Sequence, residues 1–279
     1  MYGGKREYKF IPPVCSLQPH PQGAPASVSF GESGEIKGIG KTVFAEPMKV
    51  QVLRAYLDND MFIKEKWKKF EGYRQKICRK TVLAEGTTVL EGKLVKNCLK
   101  PLLTFTLVIT PFTGGTDMEF SYKIAPYIDY MPRIGLEFAL NENDLSFEYD
   151  GYGDAESYID KHMSSEYGTY FSSAGKNYTH PVKPQESGSH FACSRLSCGG
   201  MTITAENPFS FNVSPYSTQM LMETAHDFAL KETGKTYLNL DIAMSGVGTN
   251  SCGPELAVCY RAPKRGKNRF RIFLDDKRE

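Results

Sequence analysis

The sequence predicts an all-β sandwich, on three grounds. Short runs rich in Val, Ile, Thr, Phe and Tyr recur between Gly, Asn, Asp or Pro punctuation from Val28 to Leu274, and regular short strands with turn signals between them are the pattern of a sandwich. Several runs alternate apolar and polar residues with period two, which places one face of a strand in a core. Strand-to-helix alternation is missing, so neither a (β/α)8 barrel nor a dinucleotide-binding sheet fits. An apolar fraction of 41% and a charged fraction of 24% over 279 residues agree with a globular chain and exclude global disorder, collagen-like repeats and coiled coil.

Taken in order, residues 1–27 are expected to form a linker or N-terminal arm, because Pro12, Pro13, Pro19, Pro21 and Pro25 with Gly3, Gly4 and Gly23 favour extended chain over helix. The compact domain is expected over 28–279. Its strands are predicted at Val28 to Phe30, Thr87 to Leu94, Leu102 to Thr110, Asp117 to Ile124, Ile134 to Leu140, Leu145 to Tyr149, Met201 to Ala205, Phe209 to Val213, Tyr237 to Leu240, Leu256 to Tyr260 and Arg269 to Leu274. In the last run the even positions are apolar, and Lys264 to Asn268 reads as a turn before it, which makes the basic cluster at 261–271 a hairpin tip.

Two segments break this pattern. Phe62 to Phe70 sets Ile63, Trp67 and Phe70 at i, i+4 and i+7 among lysines and a glutamate, the stripe of a short amphipathic helix. Ser217 to Leu230 begins with a capping residue and carries Met220, Leu221, Met222 and Phe228, so it reads as a second short helix.

The charge balance removes several function classes. Thirty-four basic against thirty-two acidic residues give +2, too even for a sequence-independent grip on nucleic acid or on an anionic membrane. The start, Met-Tyr-Gly-Gly-Lys-Arg, has no following apolar stretch, and no run approaches ~18 apolar residues. A cytoplasmic chain without a membrane partner is therefore expected.

Seven cysteines form an odd set without a CxxC pair, at 15, 78, 98, 193, 198, 252 and 259; reduced, mostly buried thiols are expected. Neither they nor the five histidines supply the two close ligand pairs that a structural zinc site needs. No metal or other cofactor is expected.

The candidate chemistry is equally sparse. Gly40-Lys41-Thr42 resembles the end of a P-loop, but Glu35 stands where the loop needs glycine, so a hairpin with glycine turns is the better reading. There is no Gly-x-Ser-x-Gly elbow, and no cysteine has an activating context. Glu156, Asp160, Glu186 and Asp241 are candidates for a glycosidase carboxylate pair, which forms only in the fold; solvated or hydrogen-bonded loop carboxylates account for them better. Three glycine-shaped polar stretches stand out: Asp150 to Lys161, Pro184 to Gly188 and Gly246 to Pro254. Loops of this kind at sandwich edges often bind ligands, and they are equally compatible with loops tied down internally.

These stretches carry a family resemblance. Leu53-Arg54-Ala55-Tyr56-Leu57-Asp58-Asn59-Asp60 followed by Trp67, then Gly151-Tyr152-Gly153-Asp154-Ala155-Glu156-Ser157-Tyr158-Ile159-Asp160-Lys161, resemble signatures of the C-terminal domain of family 2 β-galactosidases. His180 to Gly188, Phe211 to Tyr216 with Met220 to His226, Leu238 to Asp241, and Gly246 to Pro254 resemble further stretches of that domain in the same order.

The resemblance implies an antiparallel supersandwich, galactose mutarotase-like, with one or two short helices. It also implies a non-catalytic C-terminal domain or small subunit that completes the active site and assembly of a partner (β/α)8 barrel, the barrel carrying the hydrolysis of terminal β-galactosides. The implied partners are β-galactosidase catalytic domains or a large subunit, with galactoside sugars as ligands. No catalytic residue is expected in this chain, and the isolated chain is expected to be inactive.

By resemblance, Asn250, Ser251 and Cys252 form the substrate-pocket loop. Cys252 stands where the family has a Trp that shelves the galactosyl ring, which implies a weaker or altered sugar contact, because a thiol offers little stacking area. Tyr56 for Pro, Ala155, Ser157, and His190 where Arg is common are further departures. The alternatives are a free-standing carbohydrate-binding module, and a mutarotase-like epimerase with a His acid and a Glu base in one groove.

Overall fold

The structure, a computed structural model, describes residues 13, 15–17, 25–96, 100–249 and 253–275. Within them lie fourteen strands: β1 (Val28–Phe30), β2 (Ile36–Ile39), β3 (Thr42–Gln51), β4 (Arg74–Val82), β5 (Thr88–Val95), β6 (Pro101–Phe112), β7 (Gly115–Ile124), β8 (Arg133–Leu140), β9 (Ser146–Tyr152), β10 (Tyr167–Ser173), β11 (Ser189–Cys198), β12 (Met201–Ser214), β13 (Thr236–Met244) and β14 (Arg265–Leu274). All pair antiparallel, in the order β1-β2-β3-β8-β13-β12-β14-β7-β6-β5-β4, and β12 also carries the branch β11-β9-β10. This is an antiparallel supersandwich.

Strand β12 turns the corner between its layers. Met201 to Ala205 pair with β14, whereas Ser210 to Ser214 pair with β13. Between the two ladders stands Pro208, which has no N–H to give to a neighbour. Asn268 covers the gap, its Oδ1 accepting from Asn207 N at 3.0 Å and its Nδ2 donating to Asn207 O at 2.9 Å. The two layers close over one apolar cluster drawn from both, including Met48, Trp67, Phe105, Phe120, Phe138, Phe209 and Ile272.

The short helices sit where their stripes require. Helix α1 (Lys64–Trp67) runs on into a 3-10 turn, Lys68–Phe70. It buries Ile63, Trp67 and Phe70. Trp67 Nε1 donates to Tyr130 O at 3.1 Å. Helix α3 (Thr218–Glu223) is capped by Ser217 Oγ, which accepts from Met220 N at 3.1 Å. It ends at Thr224, and a 3-10 turn, Asp227–Ala229, follows, so the second helix is shorter than its sequence stripe. A further single turn, α2 (Ala174–Asn177), lacks any apolar stripe to announce it. Among the described residues no helix is long and apolar enough to cross a membrane.

Three sequence expectations are corrected. The basic cluster at 261–271 is not a hairpin tip: β14 already begins at Arg265 and pairs with β7 from Lys123 onward. Three of its cations meet carboxylates on β7, Arg269 and Lys267 on Glu119 and Arg271 on Asp117 at 2.7 Å. Cross-strand neutralisation lets a charged run remain a strand. Leu256 to Tyr260 is loop ending in a 3-10 turn, Val258–Tyr260, with Val258 exposed. Of the five described cysteines only Cys193 and Cys198 are buried, while Cys78 and Cys259 are exposed and Cys15 lies between. The tempting glycine stretch is the hairpin β2–β3, turning at Gly40 and Lys41 with Gly40 at φ +59°.

Candidate functional site

On the central strands one face builds the apolar core and the alternate face is polar yet buried. All eight residues of β8 are buried. Ile134, Leu136, Phe138 and Leu140 enter the core, whereas Arg133 and Glu137 fall on the opposite face by period two. Arg133 Nε donates to Asp241 Oδ2 at 3.0 Å and its Nη2 to Glu186 Oε1 at 2.9 Å. Ser189 Oγ donates to the same Glu186 oxygen at 2.7 Å, and Asn212 Nδ2 donates to Ser187 O at 2.6 Å. Glu137 accepts from Gln51 Nε2 at 2.5 Å and from Thr218 N at 3.0 Å. This polar layer glues the 184–190 segment and α3 onto the sheet.

One guanidinium between two carboxylates leaves a charge imbalance. Burial pushes the Asp241 carboxyl up to about 7 against the opposing pull of Arg133, and Glu186 adds repulsion. Arg133 is held protonated even more firmly than usual by its acidic neighbours, which outweigh its own burial.

Beside this layer, three motif segments converge on the start of the Gly246 to Pro254 loop. Arg54, fully buried, donates from Nη1 to Ser245 O at 2.9 Å and from Nη2 to Gly246 O at 3.2 Å. Its charge is met by Asp60 at 3.0 Å. Asp60 in turn accepts from Thr249 Oγ1 and from Leu57 N, both at 2.9 Å. Asn59 Nδ2 donates to Val247 O at 3.1 Å. From the 151–161 segment, Asp160 accepts from Val247 N at 3.0 Å and from Gly248 N at 2.7 Å. A Cβ at 246 would stand 2.4 Å from the Asp160 carboxylate and push it off the backbone N–H groups it holds, so glycine suits the position. The third segment joins through Gln185 Oε1, which accepts from Asp58 N at 3.0 Å. The first limb of the loop, residues 245–249, is thus held by Arg54 and Asp60 on one side and Asp160 on the other, next to a cleft of about 80 Å³ bordered by Phe62, Lys66, Thr249 and Glu255.

The expected pocket residues Asn250, Ser251 and Cys252 lie outside the described residues. The four candidate carboxylates are all in the described part, and each has a structural partner. Glu186 and Asp241 share Arg133, Asp160 holds the loop, and Glu156 meets Lys161 at 2.6 Å and accepts from Gly188 N at 3.0 Å. The described histidines do not gather in a groove. His190 is buried between Tyr149 and Phe211 with Nε2 on Asn177 Oδ1 at 2.9 Å, and burial lowers it to about 3. His162 Nδ1 meets Tyr158 O, His180 pairs with Asp227, and His226 stacks on Phe228. Sequence reasoning missed Arg133 and Gln51, and gave Asn212, inside the Phe211 to Tyr216 stretch, no role. The available signal was Arg133 and Glu137, charges of opposite sign four apart on the polar face of the run at 134–140.

The fold and the clamped segment define a class: a supersandwich domain in which the buried Arg54–Asp60 pair and the Asp160 carboxylate hold residues 245–249, the start of a glycine-rich stretch. The chain belongs to the β-galactosidase small chain family, whose model matches residues 23–274. It is 35% identical over 253 residues to a β-galactosidase of Actinobacillus pleuropneumoniae, covering 88% of this chain and 25% of that protein. With a β-galactosidase of Staphylococcus xylosus it shares 34% identity over 77% of this chain and 22% of the relative. The chain therefore spans about a quarter of the length of these curated relatives. Among solved structures, an Escherichia coli K12 protein provisionally assigned as an aldose 1-epimerase overlays 87% of this chain and 93% of its own, with a TM-score of 0.44 and 8% identity.

Proposed function

We propose that this chain is the non-catalytic C-terminal-type domain or small subunit of a β-galactosidase. In this reading it presents the 246–254 loop to the sugar-binding side of a partner (β/α)8 barrel, which carries the hydrolysis of terminal β-galactosides, and it supports assembly of the whole. The observation that carries the reading is the double clamp on the loop base by Arg54–Asp60 and by Asp160. A loop so fixed can place a tip residue against a neighbouring ring without a large ordering cost on binding. The carboxylates of this chain that could have served as an acid and a nucleophile are committed to Arg133, to backbone N–H groups or to Lys161, which fits a supporting role. Retaining hydrolysis needs two carboxyl groups free to act on the sugar, about 5 Å apart.

The test is a mixing assay. The purified chain alone is expected to leave β-galactosides uncut, and addition of a chain carrying the matching barrel is expected to restore cleavage. Turnover by the purified chain alone would overturn the assignment.

A further inference from the structure

Among the described residues the sheet ends at three strands, each paired on one side only: β1, β4 and β10. A free strand edge is a template for further pairing, and proteins blunt it with shortness, charge or bulges. Two of the three edges are blunted in this way. β1 has three residues and a register shift. β4 carries Arg74, Lys76, Arg79 and Lys80 and is bulged between Ile77 and Arg79. β10 has none of these devices. Its sequence, Tyr-Gly-Thr-Tyr-Phe-Ser-Ser, has no charged residue, and its register with β9 runs unbroken from Tyr167 to Ser173. The row of side chains on its outer face is Tyr167, Thr169 and Phe171, with Phe171 74% exposed. Among the described residues no backbone hydrogen bond reaches its other edge.

We propose that this edge is a self-association surface, on which a second copy of the chain pairs β10 to β10 antiparallel about a two-fold axis at Tyr170. The occupant is argued from complementarity. In that register Thr169 faces the second copy's Phe171, and the two Phe171 residues are diagonal neighbours, ~7–8 Å apart at the backbone, with their rings within reach of each other. No like charges are opposed, whereas the same pairing of β4 about Cys78 would set Lys76 against the second copy's Lys80. An isologous contact of this kind closes on itself as a dimer and does not propagate. Two seven-residue strands bury no more than the low end of the roughly 1,200–2,000 Å² typical of stable interfaces. The dimer is accordingly weak and dissociates on dilution.

Sedimentation velocity of the full chain over a concentration series tests this, with far-UV circular dichroism to establish that each variant is folded. Wild type and Val82→Lys, a control on the exposed β4 edge, are expected to shift from monomer to dimer as concentration rises. Phe171→Lys and, independently, Thr169→Lys are expected to stay monomeric at loadings where wild type is dimeric. A wild-type chain that is monomeric throughout, or a dimer that both lysine variants leave intact, overturns the proposal. If the wild type alone is monomeric but a complex with the barrel-carrying chain is lost in Phe171→Lys, the edge belongs to that partner and not to a second copy. The outcome is independent of whether mixing restores galactoside cleavage.

Discussion

Arg54 and Asp60 form an ion pair at 3.0 Å in which neither side chain is exposed. The same guanidinium carries the carbonyls of Ser245 and Gly246, and the same carboxylate receives Thr249. A buried pair is weak evidence of stability gained over an apolar alternative, but breaking it leaves a charge stranded. Arg54 also lies 5.6 Å from the centre of the Trp67 ring, which ties the pair to the α1 stripe.

Asp60→Asn is therefore expected to destabilise the domain by about 3–5 kcal/mol, the cost of an uncompensated buried charge. The urea midpoint measures this. Arg79→Met, which removes an exposed pair with Glu91 at 4.0 Å, is expected to leave the midpoint in place. An equal effect of the two would refute the ranking.

Asp160→Asn is expected to loosen the loop base and leave the core intact. The amide substituent replaces one acceptor with a donor, so one of the N–H groups of Val247 and Gly248 loses its partner. Amide hydrogen exchange at these two residues should accelerate by at least about tenfold, the equivalent of a charge-assisted hydrogen bond of roughly 1.5 kcal/mol. Exchange in β8 and β13 should stay as slow as in wild type.

Asp241 makes stability depend on pH in a particular direction. Its carboxyl is raised to about 7 in the folded chain, above the unfolded value of about 3.9, so the native state binds the extra proton between these limits. The stability it contributes is complete below about pH 4 and is lost as pH rises through about 7, with a slope of up to about 1.4 kcal/mol per pH unit. Asp241→Asn mimics the protonated form and should remove that slope. His190, lowered to about 3 by burial, acts in the opposite sense, its stability being lost as pH falls through the same range. The difference between variant and wild-type denaturation curves at pH 4.5 and 7.5 isolates Asp241. A difference that does not change with pH would contradict the assignment.

Cys252→Trp, assayed in the enzyme reassembled with the barrel-carrying chain, is expected to lower KM for β-galactosides, because an indole offers the sugar ring a stacking face that a thiol lacks. An unchanged KM with unchanged sugar selectivity would remove residue 252 from substrate binding.

Much of the β framework could be read from residue order. The runs at Val28, Leu102, Asp117 and Ile134 sit inside observed strands, and the run from Thr87 begins one residue before β5; one face of each lies in the core or packs against it, because period two records one buried face directly. β4, β10 and β11 escaped this reading. β4 and β10 are edge strands with no continuous buried face, one written Arg-Gln-Lys-Ile-Cys-Arg-Lys and the other Tyr-Gly-Thr-Tyr-Phe, so no apolar alternation marks them, and β11, paired on both sides, is interrupted by Ser194, Arg195 and Ser197.

The motifs around Arg54, Asp160, Glu186 and Gly246 were visible in the sequence by themselves, and so was the family they resemble; both follow from local residue identity. Only the tertiary structure decided what those side chains do. Arg133 and Asp241 stand 108 residues apart, and Asp160 and Gly248 stand 88 apart. Period two on β8 and β13 also assigns their polar faces to solvent, whereas segments folded from elsewhere in the chain cover them. Burial and charge pairing across such separations belong to the closed sandwich, because a polar residue's partner and its dielectric surroundings exist only once the covering segments have docked.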